Sequence, residues 1–213
     1  MNHNVRRGSL KHQIADEIRR SIFRGELMPN DKVTEKQLSA YFDVSRGPVR
    51  EAMQLLVMEG LLVSTTYKET KVASITTEEV TELLVPIRIN IETFALKHAY
   101  PSWDEQNFKA FEKILEQMER AEVFNDTQLF SELDQRFHEL IIRSSNMVNV
   151  ENFWDGVLSR IRLLFVYQNN LSMNLQNFVE SHRVLLDVFK SGDLDESVQK
   201  LQEHIVKANT PVT

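Results

Sequence analysis

The 213-residue sequence contains no cysteine. That absence excludes disulfide scaffolds, cysteine-ligated zinc fingers, iron–sulfur clusters and thiol catalysis together. Any metal held by this chain must be held by histidine and carboxylate. Glycine and proline are scarce, at six and five. A many-turned β-sandwich needs more of both, so long helices are expected. No apolar run approaches the roughly 20 residues of a membrane-spanning helix. The opening MNHNVRRGSLKHQ has basic residues with no apolar stretch behind them, so a cytoplasmic chain without a signal peptide is expected. There is no Gly-rich phosphate loop, low-complexity tract or internal repeat.

What is present is the balance of an ordinary globular chain, 42% hydrophobic and 26% charged. The net charge of −6 is unevenly divided: residues 1–75 sum to +3 and residues 76–213 to −9. The same point divides the pattern. Before it, Leu10, Ile14, Ile18 and Ile22 recur at helical spacing over residues 10–24, with Ser9 as a cap and Gly25 and Pro29 as stops. Thr34 and Gln37 suggest a capping box for a short helix, TEKQLSAYF. The turn Asp43-Val44 leads to a third helix over 46–59, capped by Ser45 and ended by Gly60. Residues 61–64 and 71–75 then read as a hairpin around a polar TTYKET tip.

From residue 76 onward every segment reads as helix. Thr76 or Thr77 with Glu79 opens one that runs to about Ala99, with a kink expected at Pro86. Ser102 with Glu105 predicts a capping box for a helix to about Phe124. Further helices are expected over 127–144, 148–170, 175–190 and 194–208, the last opened by Asp193 with Glu196. The expected fold is mainly α, with a winged helix-turn-helix over 1–75 and an all-helical bundle over 76–213.

Two helices joined by a tight turn, the second opening Ser-Arg-Gly-Pro-Val-Arg, have the form of a helix-turn-helix, whose second helix enters the DNA major groove. Arg46 and Arg50 lie one turn apart on that helix and suit guanine O6 and N7. Ser45 and the helix N-terminus can hold a phosphate. Lys68 and Lys71 near the wing tip can meet phosphates. In the second part, Asp134 and His138 are i and i+4, so they share a helix face. His182 and His204 lie on two other helices. One carboxylate and three imidazoles aimed at a common point would make a divalent-metal site with positions left for water or a ligand oxygen. His98, beside apolar residues, is expected to be a hydrogen-bonded, partly buried side chain.

The strings IRRSIFRGELMPND, TEKQLS and DVSRGPVREAMQLLVMEGLL resemble the winged helix of the GntR family of bacterial transcription regulators over residues 10–75. The resemblance implies that Lys36, Arg46 and Arg50 contact DNA, with a further contact from the wing tip at Thr66. Asn30, Asp43 and Tyr67 stand where the family usually has glycine. Asn and Asp tolerate a left-handed backbone, whereas Tyr67 implies a reshaped wing. Lys36 replaces a more usual arginine, so a bidentate base contact there becomes a phosphate contact.

Residues 78–208 resemble the FCD domain, the helical effector domain of the FadR-type branch. The carrying strings are PIRINIETFALKHA, LDQRFHELIIRSSN and ESHRVLLDVFKSGDLDESVQKLQEHI. The resemblance implies a metal held by Asp134, His138, His182 and His204, zinc first, with nickel or manganese as alternatives. It also implies that Arg88 faces a small carboxylic acid effector, with Pro86 two residues earlier departing from the usual pattern. Operator DNA and a second copy of the chain are the expected macromolecular partners. Two other functions compete. A helical metalloenzyme would reuse the metal as a Lewis acid, but no Glu-x-x-His pair is present. The His138-Glu139 start of a zinc-protease motif meets Ile142 where the second His belongs. The other is a DNA-binding dimer with no effector.

Overall fold

The structure is a computed structural model that describes residues 9–64, 69–169 and 175–209, with backbone alone over 164–169. By internal contacts the chain forms two compact units. One comprises Met1–Ile75 with Ser159–Val166, the other Thr76–Leu158 with Tyr167–Thr213.

In the first unit, helix α1 (Leu10–Phe23) buries Ile14, Ala15, Ile18 and Ile22 along one stripe. It packs on α3 (Arg46–Met58), which answers with Val49, Ala52, Met53 and Leu56. Helix α2 (Glu35–Phe42), between them in the chain, packs on α3 and is capped by Thr34, whose hydroxyl accepts from the Gln37 N–H at 3.2 Å. The Gln37 side chain turns to the Thr34 hydroxyl and not to its backbone, so the cap is not reciprocal. Asp43 ends α2 in the left-handed region at φ 51°, and Asn30 sits there at φ 71°. These are the two glycine replacements that the backbone chemistry tolerates. Ser9 and Ser45 occupy cap positions without donating or accepting a side-chain capping bond.

The hairpin is part of a three-stranded antiparallel sheet in the order β1 (Lys32–Val33), β3 (Thr70–Val72), β2 (Leu62–Ser64). Val33 lies opposite Thr70, and Leu62 opposite Val72. Strand β1 has two residues, too few to show an alternation. Val33, Leu62 and Val72 point into the core beside Leu61 and Ala73.

The second unit opens with a reciprocal cap at Thr76. The Thr76 N–H donates to the Glu79 carboxylate at 2.9 Å, and the Glu79 N–H donates back to the Thr76 hydroxyl at 3.1 Å. A π-helical turn (Glu79–Leu84) follows, in which the Val85 N–H reaches Val80 O, five residues back. The expected irregularity at Pro86 is therefore a widened turn just before it. Proline has no N–H, and its ring cannot sit against the carbonyl four residues earlier, so the ladder is released there. Helix α4 (Val85–Ala99) starts with Pro86 in its first turn. A 3₁₀ turn (Tyr100–Ser102) carries Ser102, so the second capping box lies further on. Asp104 caps α5 (Glu105–Val123), with Asn107 returning the bond.

Helices α6 (Thr127–Ser144), α7 (Val148–Asn169), α8 (Leu175–Ser191) and α9 (Leu194–Asn209) complete the unit, less the Ser159–Val166 segment of α7, which belongs to the first. Asp193 caps α9 through the Glu196 N–H. Helix α4 packs on α6 and α9, α5 on α6 and α8, and α8 on α9. Trp103, Phe111, Phe137 and Phe189 form an aromatic core with neighbouring ring centroids 4.8–6.4 Å apart. No helix among the described residues is long and apolar enough to cross a membrane.

Candidate metal centre and nucleic-acid interface

Helix α6 sends Asp134 and His138 inward from successive turns. Helix α8 adds His182 and α9 adds His204, and all four are buried. One ligand atom from each lies within 4.8 Å of the others. His182 Nε2 is 3.1 Å and His138 Nε2 3.9 Å from Asp134 Oδ1. Neither His182 Nε2, His204 Nε2 nor Asp134 Oδ2 has a hydrogen-bond partner, although each is shielded from water. Buried polar atoms without partners are rare and costly, and three aimed at one point need an explanation. A cation is the simplest, because each atom has a lone pair for it.

The outer edges of the rings say which nitrogen is bare. His138 Nδ1 meets Glu92 Oε2 at 2.5 Å, and His182 Nδ1 meets the Phe178 carbonyl at 2.8 Å. A carboxylate and a carbonyl only accept, so both Nδ1 atoms carry the proton and both Nε2 atoms are free to ligate. His204 Nδ1 pairs with the Ser181 hydroxyl at 2.8 Å, leaving its Nε2 inward as well. An N₃O donor set of this kind suits zinc, nickel or manganese.

The electrostatics agree. Burial alone would raise the Asp134 carboxyl, but His182, His138 and Arg88 outweigh it and hold the group well below the usual carboxylate range. Burial, with His182 and His138 alongside, pushes His204 well below 6.5, so its ring is neutral, the form a metal takes.

Arg88, on α4, is 1% exposed and donates from Nε to Glu92 Oε1 at 2.9 Å. It thus belongs to the same buried cluster, reached through Glu92. Glu92 was not among the residues singled out from sequence. Its signal was available: Arg88 and Glu92 are i and i+4, and Glu92 is the one charged residue in the mostly apolar run IETFAL. Burial raises the Glu92 carboxyl, yet His138 and Arg88 together bring it below its ordinary value. His98 is hydrogen-bonded, to the Phe94 carbonyl at 2.8 Å, but it is exposed beside an exposed Phe94 on the outer face of α4. An open cleft of about 490 Å³ between α8 and α9 reaches Ser181 and His204, with Lys200 and Lys207 on its walls.

In the first unit Lys36, Ser45, Arg46 and Arg50 are all exposed on α2 and α3 or the turn between them. Arg50 is held side-on by Glu35, through Nε at 2.7 Å and Nη2 at 2.9 Å. Lys71, in β3, pairs with Glu69. Thr66, Tyr67 and Lys68 lie outside the described residues.

Comparison with known proteins agrees with both halves. Residues 83–207 match the FCD domain family, and residues 10–72 match the bacterial regulatory proteins of the gntR family. The chain belongs to the GntR family and carries an FCD domain. Among its relatives is the uncharacterized HTH-type transcriptional regulator YdhC of Bacillus subtilis (strain 168), 29% identical over 90% of this chain and 86% of that one. The gluconate operon transcriptional repressor of Bacillus licheniformis is 26% identical over 93% of this chain and 83% of that one. Escherichia coli McbR/YncC superposes with a TM-score of 0.80 at 22% identity, covering 94% and 95% of the two chains. A GntR regulator from Rhodococcus sp. RHA1 gives 0.83 at 21%, covering 94% and 96%. At such identity these two structures speak for the fold alone.

The GntR match encloses every residue expected to face DNA, and the FCD match encloses Arg88, Glu92 and the metal cluster. The protein is a bacterial transcriptional regulator, and the metalloenzyme alternative falls with that assignment.

Proposed function

We propose that this GntR regulator is a cytoplasmic, metal-dependent repressor whose operator affinity responds to a small carboxylic acid. The observation that carries the reading is the buried Asp134, His138, His182 and His204 cluster with its unpartnered inward atoms. A divalent ion there, with zinc first and nickel or manganese next, would supply a Lewis-acidic position for a carboxylate oxygen. Arg88 would bind the other oxygen, since a guanidinium and a carboxylate form charge-assisted bonds. The relatives named for a gluconate operon support this class, gluconate being itself a carboxylate. Their names also support repression over activation.

Residues 1–75 would read DNA and residues 76–213 would bind the effector and dimerise. Arg46 and Arg50 would meet guanine edges, Lys36 and Ser45 phosphates, and Thr66 and Lys68 the backbone at the wing. One helix-turn-helix reads a half-site, so a homodimer is the working form. A ligand with different affinity for the operator-bound and released forms shifts the balance between them by that difference.

The test combines metal analysis of the purified protein with a thermal-shift screen of small carboxylates, run with and without divalent ion. Hits are then added to an operator-binding assay. The reading requires bound divalent metal, at least one carboxylate whose stabilisation disappears on chelation, and a change in operator affinity with that compound. Metal-free protein that is indifferent to chelation and refeeding would instead indicate a DNA-binding dimer without an effector.

A further inference from the structure

The geometry points to Glu92 as the positioning residue of the metal centre, fixing His138 as an Nε2 ligand and tying it to Arg88. This inference rests on the metal reading above and adds to it a residue outside the proposed ligand set. Three observations carry it. First, Glu92 is fully buried, and both carboxylate oxygens are committed: Oε1 accepts from Arg88 Nε at 2.9 Å and Oε2 from His138 Nδ1 at 2.5 Å. Second, the other two imidazoles are oriented differently. His182 uses a carbonyl of its own helix four residues back, and His204 uses a neutral hydroxyl on α8. His138 alone among the three takes a charged acceptor, and it comes from another helix, α4. Third, that acceptor is bound on its far side by Arg88, so the order is guanidinium, carboxylate, imidazole, inward-facing Nε2.

The chemistry follows from the acceptor. A carboxylate at Nδ1–H polarises the ring and makes Nε2 a better donor to a cation. It also removes the competing tautomer, in which Nε2 would carry the proton and could not ligate. Arg88 does two things in this arrangement. It holds the far carboxylate oxygen at 2.9 Å, and it places the expected effector contact one hydrogen bond from a ligand-orienting group. Occupation of Arg88 by an anion therefore reaches the metal through Glu92.

The experiment separates the acceptor from the ion pair. Glu92→Leu alone would take the carboxylate of its ion pair from the buried Arg88, and that variant could simply fail to fold. Two double variants are compared instead, Arg88→Met with Glu92→Gln and Arg88→Met with Glu92→Leu. Both lack the ion pair, and only the first keeps an oxygen for His138 Nδ1–H. Zn(II) affinity is measured by competition with a chelator, and the Co(II) absorption spectrum reports the ligand field. The Leu double should bind Zn(II) about 10–100-fold more weakly than the Gln double, the usual effect of losing an outer partner of a ligating histidine. Its Co(II) bands should differ from those of the wild type, and those of the Gln double should lie nearer. Equal affinities and matching spectra for the two doubles, in a wild type that binds both metals, would overturn the role of Glu92 alone. A wild type that binds neither metal would overturn the metal reading and this inference with it.

Discussion

Arg88→Met tests whether the buried ion pair governs the second unit. Arg88 and Glu92 are i and i+4 on α4, and their side chains are 2% and 0% exposed. Lys109 and Glu105 have the same spacing on α5, but their side chains are 65% and 81% exposed. The same charges at the same spacing should therefore contribute very differently. An exposed i,i+4 pair is worth about 0.3–0.5 kcal/mol, so Lys109→Met should be nearly silent. Breaking a buried pair costs about 3–5 kcal/mol, and here the figure is an upper bound because Glu92 keeps its bond to His138 Nδ1–H. For a chain of this size that is a fall of roughly 6–20 °C in melting temperature, at about 2–4 °C per kcal/mol. Met keeps an unbranched stem but is shorter than Arg and lacks the guanidinium, so some of the loss at this fully buried position comes from packing.

The assay is intrinsic fluorescence. The two tryptophans, Trp103 and Trp154, both lie in the second unit, so the signal isolates its unfolding. Melts are recorded with a chelator present, so that metal does not contribute. The deficit should shrink as the pH falls. Without Arg88 the Glu92 carboxyl loses one of the two groups that offset its burial, His138 being the other, so it takes up a proton at a higher pH than in the wild type. Replacing Glu92 by Leu as well should recover part of the loss, since the charge of the pair is gone while the buried His138 Nδ1–H loses its acceptor. A loss below about 1 kcal/mol for Arg88→Met, the size of a surface pair, would refute the reasoning. So would a double variant no more stable than the single one.

Divalent metal held at 100 times its dissociation constant should stabilise the protein by about 2.7 kcal/mol, or roughly 5–11 °C; His182→Ala should lose that increment in the same melt, and its retention would show that His182 is not a ligand. The metal-free protein should lose stability as the pH falls from about 6.5. His204 has a lowered folded pKa, so it stays neutral in the fold while the unfolded chain takes up the proton, and the depressed Asp134 and Glu92 extend the loss to lower pH. Denaturant titrations between pH 8 and pH 4 check this, and a rise in stability over that descent would contradict it. Arg46→Ala and Arg50→Ala should each weaken operator binding by about 1–3 kcal/mol at fixed salt, with an unchanged circular dichroism spectrum; full operator affinity in either variant would remove that residue from base recognition.

Much of this protein was legible one helix at a time. Periods of three and four residues marked α1 and the long helices of the second unit. Asn30 and Asp43 announced left-handed turns because their side chains tolerate that backbone. Asp134 and His138 had to share a face, since i and i+4 do so in any α-helix. The absence of cysteine had already restricted any metal site to histidine and carboxylate. These features are local, and local geometry follows from spacing alone.

Other features depended on distance in space between residues far apart in the chain. Strand β1 pairs with β3 across 37 residues of sequence, and its two residues carry no pattern of their own. The wide turn before Pro86 was visible only as a disturbance, because proline says that the ladder breaks but not how the chain absorbs it. His182 and His204 are separated by no diagnostic spacing, and only the packing of α8 and α9 brings their inner nitrogens to Asp134. Glu92 looked like half of an ordinary helix pair with Arg88. Its second bond, to His138 on α6, exists because α4 packs against α6. By itself the sequence determined which side chains each helix presents, through backbone periodicity. The tertiary structure decided which of those faces meet, through helix crossings that no linear spacing records.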